Sequence, residues 1–187
     1  ETYYAMAPAL RTSEFLQGAF HVAIDDAVLV FEKAGGRVWD AGVIDKAIIH
    51  GSKSLDCFWQ TFGYEENVPA LPVEVRLTRR FMGLGEVHGI LDAVWEQPDK
   101  IIIFEQKFPY SVSSPEAYLL WSPQHRIGAW LLNSPKPVYV RYTLLSQNRV
   151  LRPDDFLVAP GENIEALLGW AFATVHGWNN TDFDGAT

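Results

Sequence analysis

Two apolar, strand-like runs flank a four-residue polar turn, and that spacing sets a hairpin register. The runs read Gly89-Ile-Leu-Asp-Ala-Val-Trp-Glu96 and Ile101-Ile-Ile-Phe-Glu-Gln-Lys-Phe108, with Gln97-Pro-Asp-Lys100 between them. Antiparallel pairing about this turn sets Asp92 directly opposite Glu105. Opposed side chains bring their Cβ atoms to roughly 4.5–5.5 Å, where two carboxylates repel. A cation between them removes the conflict. Lys107 follows Glu105 by two residues and therefore shares its face. Ile90 and Ile103 are read as apolar neighbours on that face, which makes an empty charged site costly.

The rest of the chain supplies a frame for this hairpin. A helix is expected over residues 13–34, with Ser13 as N-cap and Gly35-Gly36 as its stop. Leu16, Phe20, Ile24, Ala27 and Phe31 recur at intervals of three and four and predict a buried stripe. A second helix is expected over about 43–62. The alternating run from Pro72 to Thr78 reads as a strand with one wet face. The unbroken apolar run Ile101-Ile-Ile-Phe104 suits a central strand covered on both sides. A helix over about 116–133 restarts at Ser122-Pro123, followed by a strand over 138–145 and a helix over about 163–176. This order predicts a single α/β domain over residues 1–187, with a mixed sheet and helices on both faces.

Composition narrows the classes. Hydrophobic content of 48% and seven Trp suit one globular domain with a real core. No apolar run is long enough to span a bilayer, and no secretory signal pattern opens the chain. Cys57 is the only cysteine, which excludes an intrachain disulfide framework and a cysteine-ligated iron–sulfur cluster. A cytoplasmic location is expected. The net charge of −8 counts against a large non-specific DNA footprint. Arg76, Arg79 and Arg80 lie just before the hairpin, and Arg126 and Arg141 lie after it, so a local basic groove is expected. There is no phosphate-binding P-loop, no GxGxxG fingerprint and no GxSxG elbow.

The motifs together resemble the PD-(D/E)XK nuclease superfamily, in its RecB-like and Cas4-like branch, over roughly residues 15–145. Gly89-Ile-Leu-Asp92 resembles the GxxD motif of that branch, and Glu105-Gln-Lys107 its (D/E)xK motif. Gln124, before the apolar stretch Ile127-Gly-Ala-Trp-Leu-Leu132, resembles the glutamine motif of the next helix. Gly18-Ala-Phe-His21-Val-Ala-Ile24 resembles the first-helix motif that contributes a metal-binding His, and Glu74 matches an acidic residue often found on the preceding strand. The chain departs from the pattern in two respects. It lacks the iron–sulfur cysteines, and it has Gly128 and Trp130 where a Tyr usually follows the Gln.

The resemblance implies a restriction-endonuclease-like core and a Mg²⁺- or Mn²⁺-dependent deoxyribonuclease. An exonuclease or single-strand nuclease is its preferred subtype. Asp92, Glu105 and His21 would bind the metal, Lys107 would assist the attacking water and Gln124 would orient it. Carboxylate oxygens suit both ions, and an imidazole favours Mn²⁺. Glu74 would be a second-site or supporting ligand. His50 competes with His21, while His88, His125 and His176 are weaker candidates and make no zinc-type spacing with the cysteine. Arg76, Arg79, Arg80, Arg126 and Tyr110 are the candidate nucleic-acid contacts. Tyr118 and Trp121 could stack on unpaired bases, although core packing explains such aromatics more often. The expected partner is DNA, as single strands or duplex ends, with a homo-oligomer or a larger DNA-processing assembly as context and no membrane. The alternative is a nuclease-derived protein that binds nucleic acid or a partner without cutting.

Overall fold

The turn at Gln97–Lys100 closes as its spacing predicts: the Gln97 N–H donates to the Lys100 carbonyl at 2.8 Å. Around it the computed structural model describes residues 2–36, 41–63, 65, 67–107, 123–146, 149–158 and 164–180. The helices are α1 (Thr2–Ala5), α2 (Ser13–Lys33), α3 (Ala41–Phe62), α4 (Pro123–Leu132) and α5 (Ile164–Asn180). The strands are β1 (Val73–Phe81), β2 (Gly85–Glu96), β3 (Ile101–Lys107), β4 (Val138–Ser146), β5 (Arg149–Leu151) and β6 (Phe156–Val158). They form a six-stranded sheet in the order β1-β2-β3-β4-β5, with β6 also paired to β4. Among the described strands β3 and β4 run parallel, and the other pairs are antiparallel. The fold is α/β, a mixed central sheet flanked by helices.

The two faces of the sheet carry separate cores. On one face Ile101, Ile103, Val138, Val140, Tyr142 and Leu144 pack with Ala129 and Leu132 of α4. On the other Ile102, Phe104 and Leu145 pack with Tyr3, Tyr4 and Phe58 from α1 and α3. The helix α4 approaches β2 closely because Gly128 has no side chain. A Cβ there would come within 2.9 Å of Leu91 and 3.6 Å of Ile103. A smaller cluster of Phe81, Ile164 and Leu168 ties α5 to the end of β1.

The β1–β2 ribbon changes face partway along. Val75 and Leu91, paired across it, belong to the α4-side core. Val73 and Ala93, the next pair along the ribbon, belong to the α1/α3-side core. In a regular strand residues two apart share a face. The alternation therefore breaks at the residues between, Glu74 and Asp92, and Glu74 has a left-handed backbone with φ 47°.

Three expectations need correction. The N-cap of α2 is Thr12, whose hydroxyl accepts from the Phe15 N–H at 3.0 Å, not Ser13. The stripe on α2 is not buried, since no residue of that helix is. It lines an apolar groove of about 320 Å³ against α3 instead, through Ile24, Ala27 and Phe31. Ile90 is 55% exposed and does not share the face of Ile103, because the core position on β2 falls to Leu91.

Buried cations hold the segments that precede the sheet. Arg11 is 2% exposed and donates to the carbonyls of Tyr3, Met6, Glu65, Val68 and Pro69. Arg152 pairs with Glu65, donates to the Tyr4 hydroxyl and lies 3.9 Å above the Phe62 ring. Removing Arg11 leaves several buried carbonyls without a donor. Arg11→Ala is expected to cost on the order of 3 kcal/mol of unfolding free energy. Exposed Arg76→Ala should stay within about 0.5 kcal/mol of the parent, as urea denaturation would read out.

Candidate metal centre

The site forms where β2 and β3 part. Their ladder pairs Glu96 with Ile101, Trp95 with Ile102, Val94 with Ile103 and Ala93 with Phe104. The register is the one the turn dictates, but the ladder stops one pair short of Asp92 and Glu105. Asp92 instead accepts the Gln106 N–H on Oδ2 at 3.0 Å. That bond anchors Asp92 to β3 while the strands separate. No hydrogen bond engages its other oxygen among the described residues.

Glu105 is 1% exposed, an unusual burial for a carboxylate. Desolvating such a group costs several kcal/mol unless partners compensate. Lys107 Nζ lies 3.1 Å from Glu105 Oε2, and Gln124 Nε2 approaches both carboxylate oxygens at 3.4 Å. These last contacts are long and weak. Lys107 supplies a counter-charge, and its side chain stays partly exposed to solvent. Gln124 reaches the site because Pro123 opens α4, as the sequence predicts.

The structure thus brings together Asp92, Glu105, Lys107 and Gln124. His21 sits elsewhere: it is exposed on α2, with its ring 6.0 Å from that of Phe20. Among the described residues no three His, Cys, Asp or Glu side chains are close enough together to share an ion. The donor chemistry present still fits a hard divalent cation. It consists of two carboxylates, one with an oxygen outside any described hydrogen bond, at a gap in the ladder.

The candidate nucleic-acid contacts separate into two groups. Arg76 and Arg80 are exposed on β1, across from Ile90 and Glu86. Arg79 donates to the Trp130 carbonyl at 2.5 Å, and its guanidinium lies 4.3 Å from the Trp130 ring, so it braces α4. Arg79 and Arg126 also line a cleft of about 530 Å³ with Lys136 and Glu165. Arg141 serves the fold, in a two-point pair with Asp155 at 2.8 Å. Tyr110, Tyr118 and Trp121 lie outside the described residues. Gly128 and Trp130, the departures from the glutamine motif, are both used in packing α4.

Of two further residues beside the site, the sequence reading gave one no role and read the other only as a weaker metal-ligand candidate. Gln106 anchors Asp92 through its backbone, and its position between Glu105 and Lys107 was the signal. His125 is 2% exposed, neither ring nitrogen finds a hydrogen-bond partner among the described residues, and its edge packs 5.3 Å from the Tyr142 ring. It precedes buried Gly128 by three residues and so shares the core face of α4.

No family model matches the chain, and no curated protein matches it. A solved structure titled "Crystal structure of SSO0001" is similar over 73% of this chain, at 19% identity and a TM-score of 0.44. The match covers 62% of that chain, so this one spans less than two thirds of its length. Among the described residues no helix is long and apolar enough to cross a membrane.

Burial, and secondarily the Lys107 charge, lowers the His125 pKa from 6.5 to about 4. Between those values the unfolded chain binds a proton that the folded protein refuses. Stability is therefore intact above about pH 6.5 and falls as pH drops toward 4, by up to roughly 3 kcal/mol in all. His125→Phe removes both buried ring nitrogens, which have no partner among the described residues, while keeping a flat ring. It is expected to stabilise by about 1 kcal/mol at pH 7 and by more at pH 5. Thermal unfolding of both proteins across pH 4–8 checks this.

Proposed function

We propose that the protein is a Mg²⁺- or Mn²⁺-dependent deoxyribonuclease that hydrolyses phosphodiester bonds. One observation carries the reading: Asp92 and Glu105 stand where the β2–β3 ladder opens, and Lys107 rests on the buried carboxylate. Two acids and a lysine meeting at a gap in a sheet make little sense as a stability device. A buried ion pair generally contributes little net stability over an apolar packing of the same volume. The resemblance of the Gly89–Asp92 and Glu105–Lys107 motifs to the PD-(D/E)XK pattern supports the same assignment, and it favours an exonuclease or single-strand nuclease.

In this reading Asp92 and Glu105 hold the cation, with water completing its shell. A divalent ion bound there supplies Lewis acidity and lowers the pKa of a coordinated water. Lys107 places a positive charge where negative charge develops on the phosphate oxygens, and its one-sided solvent exposure leaves room for substrate. Gln124 donates to Glu105 and can turn its amide toward the attacking water. Arg76 and Arg80 on β1, and Arg126 on α4, are the proposed backbone contacts.

A second reading is a nuclease-derived protein that binds nucleic acid or an assembly partner without cutting. The Lys107–Glu105 contact favours it, since the lysine already neutralises the acid. End-labelled single- and double-stranded DNA, incubated with Mg²⁺, Mn²⁺ or EDTA, separates the two. Metal-dependent cutting is expected, reduced at least about 100-fold by Asp92→Ala and by Lys107→Ala. Binding without cutting by the wild type would instead favour the second reading.

A further inference from the structure

Past the close contact of Gly51 with Phe20, α2 and α3 continue as an overhanging pair. From residue 21 to 33 on α2 and from 42 to 50 on α3 no side chain is buried, and only Ile24, Val28, Ile44 and Ile48 are half-covered. The overhang is nonetheless apolar. Val22, Leu29, Val30, Phe31, Val43 and Ile49 are each between 42% and 67% exposed. Phe31 and Val43 line, from opposite helices, the apolar groove of about 320 Å³. Val30 follows Ala27 of that groove by three residues and so borders it. Apolar surface gathered in one place in this way marks an interaction site.

The charges beside the groove indicate what fits it. The overhang carries Asp25, Asp26 and Glu32 against Lys33 on α2, and Asp45 with Lys46 on α3. None of these six is ion-paired among the described residues. Asp26 precedes Val30 by four residues and Lys46 follows Val43 by three, so an acid rims the groove on α2 and a base rims it on α3. The excess of acid disfavours a polyanion or an anionic membrane as the occupant. A second copy of the same face answers both the apolar groove and the opposed charges. Asp26 lies about 10 Å from the loop end of α2, and Lys46 about 8 Å from the loop end of α3. A two-fold axis running along the hairpin therefore brings each Asp26 level with Lys46 of the partner subunit and keeps the two acidic α2 helices apart.

We propose that the α2–α3 overhang is a homodimer interface, in which two copies pair about a two-fold axis and α2 of each packs on α3 of the other. The result is a four-helix bundle, and the shared patch is self-complementary as a two-fold contact requires. Val30 and Val43 then sit in its seam, and Asp26 and Lys46 pair across its rim. The face measures on the order of 20 Å by 20 Å, at the small end of specific interfaces, so the dimer is of micromolar strength. The pairing is independent of the phosphodiesterase reading.

Analytical ultracentrifugation of the full chain between about 1 and 200 µM tests this, with a monomer–dimer equilibrium expected in that range. Val30→Glu and Val43→Glu place a charge in the seam, and each should weaken the dimer at least about tenfold. Met82→Glu changes an equally exposed apolar residue, on the β1–β2 turn, and should leave the dimer unchanged. Asp26→Lys and Lys46→Asp should each weaken association, and the two together should restore it, which neither misfolding nor general repulsion would do. Circular dichroism checks that every variant is folded. A monomer at all concentrations, a dimer indifferent to both valine variants, or charge variants that fail to rescue each other would overturn the proposal. A monomer that instead binds phosphatidylcholine vesicles, and loses them in Val30→Glu, would overturn it in favour of a lipid surface.

Discussion

The face change of the β1–β2 ribbon at Glu74 and Asp92 is the constraint on which the architecture turns. Leu91 must reach the core beneath α4, and Ala93 must reach the core beneath α1 and α3. A flat strand cannot place residues two apart on opposite faces. The backbone therefore rotates between them, which lifts Asp92 out of the ladder and leaves its carboxylate to find Gln106 on the next strand. The same rotation opens the gap in which Glu105 and Lys107 sit. The candidate metal centre is a consequence of how two cores share one ribbon.

Charge is distributed in an equally purposeful way. An acidic chain of net charge −8 has few cations, and several are committed to the interior. Arg11 ties α1 to the segment before β1 through backbone carbonyls, Arg152 closes the same corner on Glu65, and Arg141 clamps Asp155. Arginine suits these places because its planar fork satisfies several acceptors at once and its weak hydration lowers the cost of burial. Among the described residues, Arg76 and Arg80 on β1 and Arg126 on α4 stay exposed.

The two long helices contrast with the rigid sheet. The helix α3 anchors itself through Leu55 and Phe58, whereas α2 rests mainly on α3. Close packing between them occurs at Gly51, where a Cβ would meet the Phe20 ring at 2.0 Å. Beyond that point the pair encloses an apolar groove, and Val22, Val30 and Phe31 remain exposed. The α2 helix is further held where the Gln17 amide donates to the Ser52 carbonyl and the Asp56 carboxylate of α3, and where Leu16 packs against the core beneath α3.

The sequence by itself determined the hairpin register, the shared face of Glu105 and Lys107, the start of α4 at Pro123 and the α/β order of elements. Each depends on local periodicity or turn spacing, which survive without knowledge of distant partners. Only the tertiary structure decided that the ladder would stop short of Asp92, because the face change is set by two cores that meet from opposite sides. It likewise decided that α2 would carry its apolar stripe without burying it, that Arg79 and Arg141 would brace the fold and that His125 would be buried against Tyr142. Those outcomes depend on which surfaces meet across long sequence separations. A hydrophobic period states that a helix has an apolar face, but not how deeply its neighbour covers it.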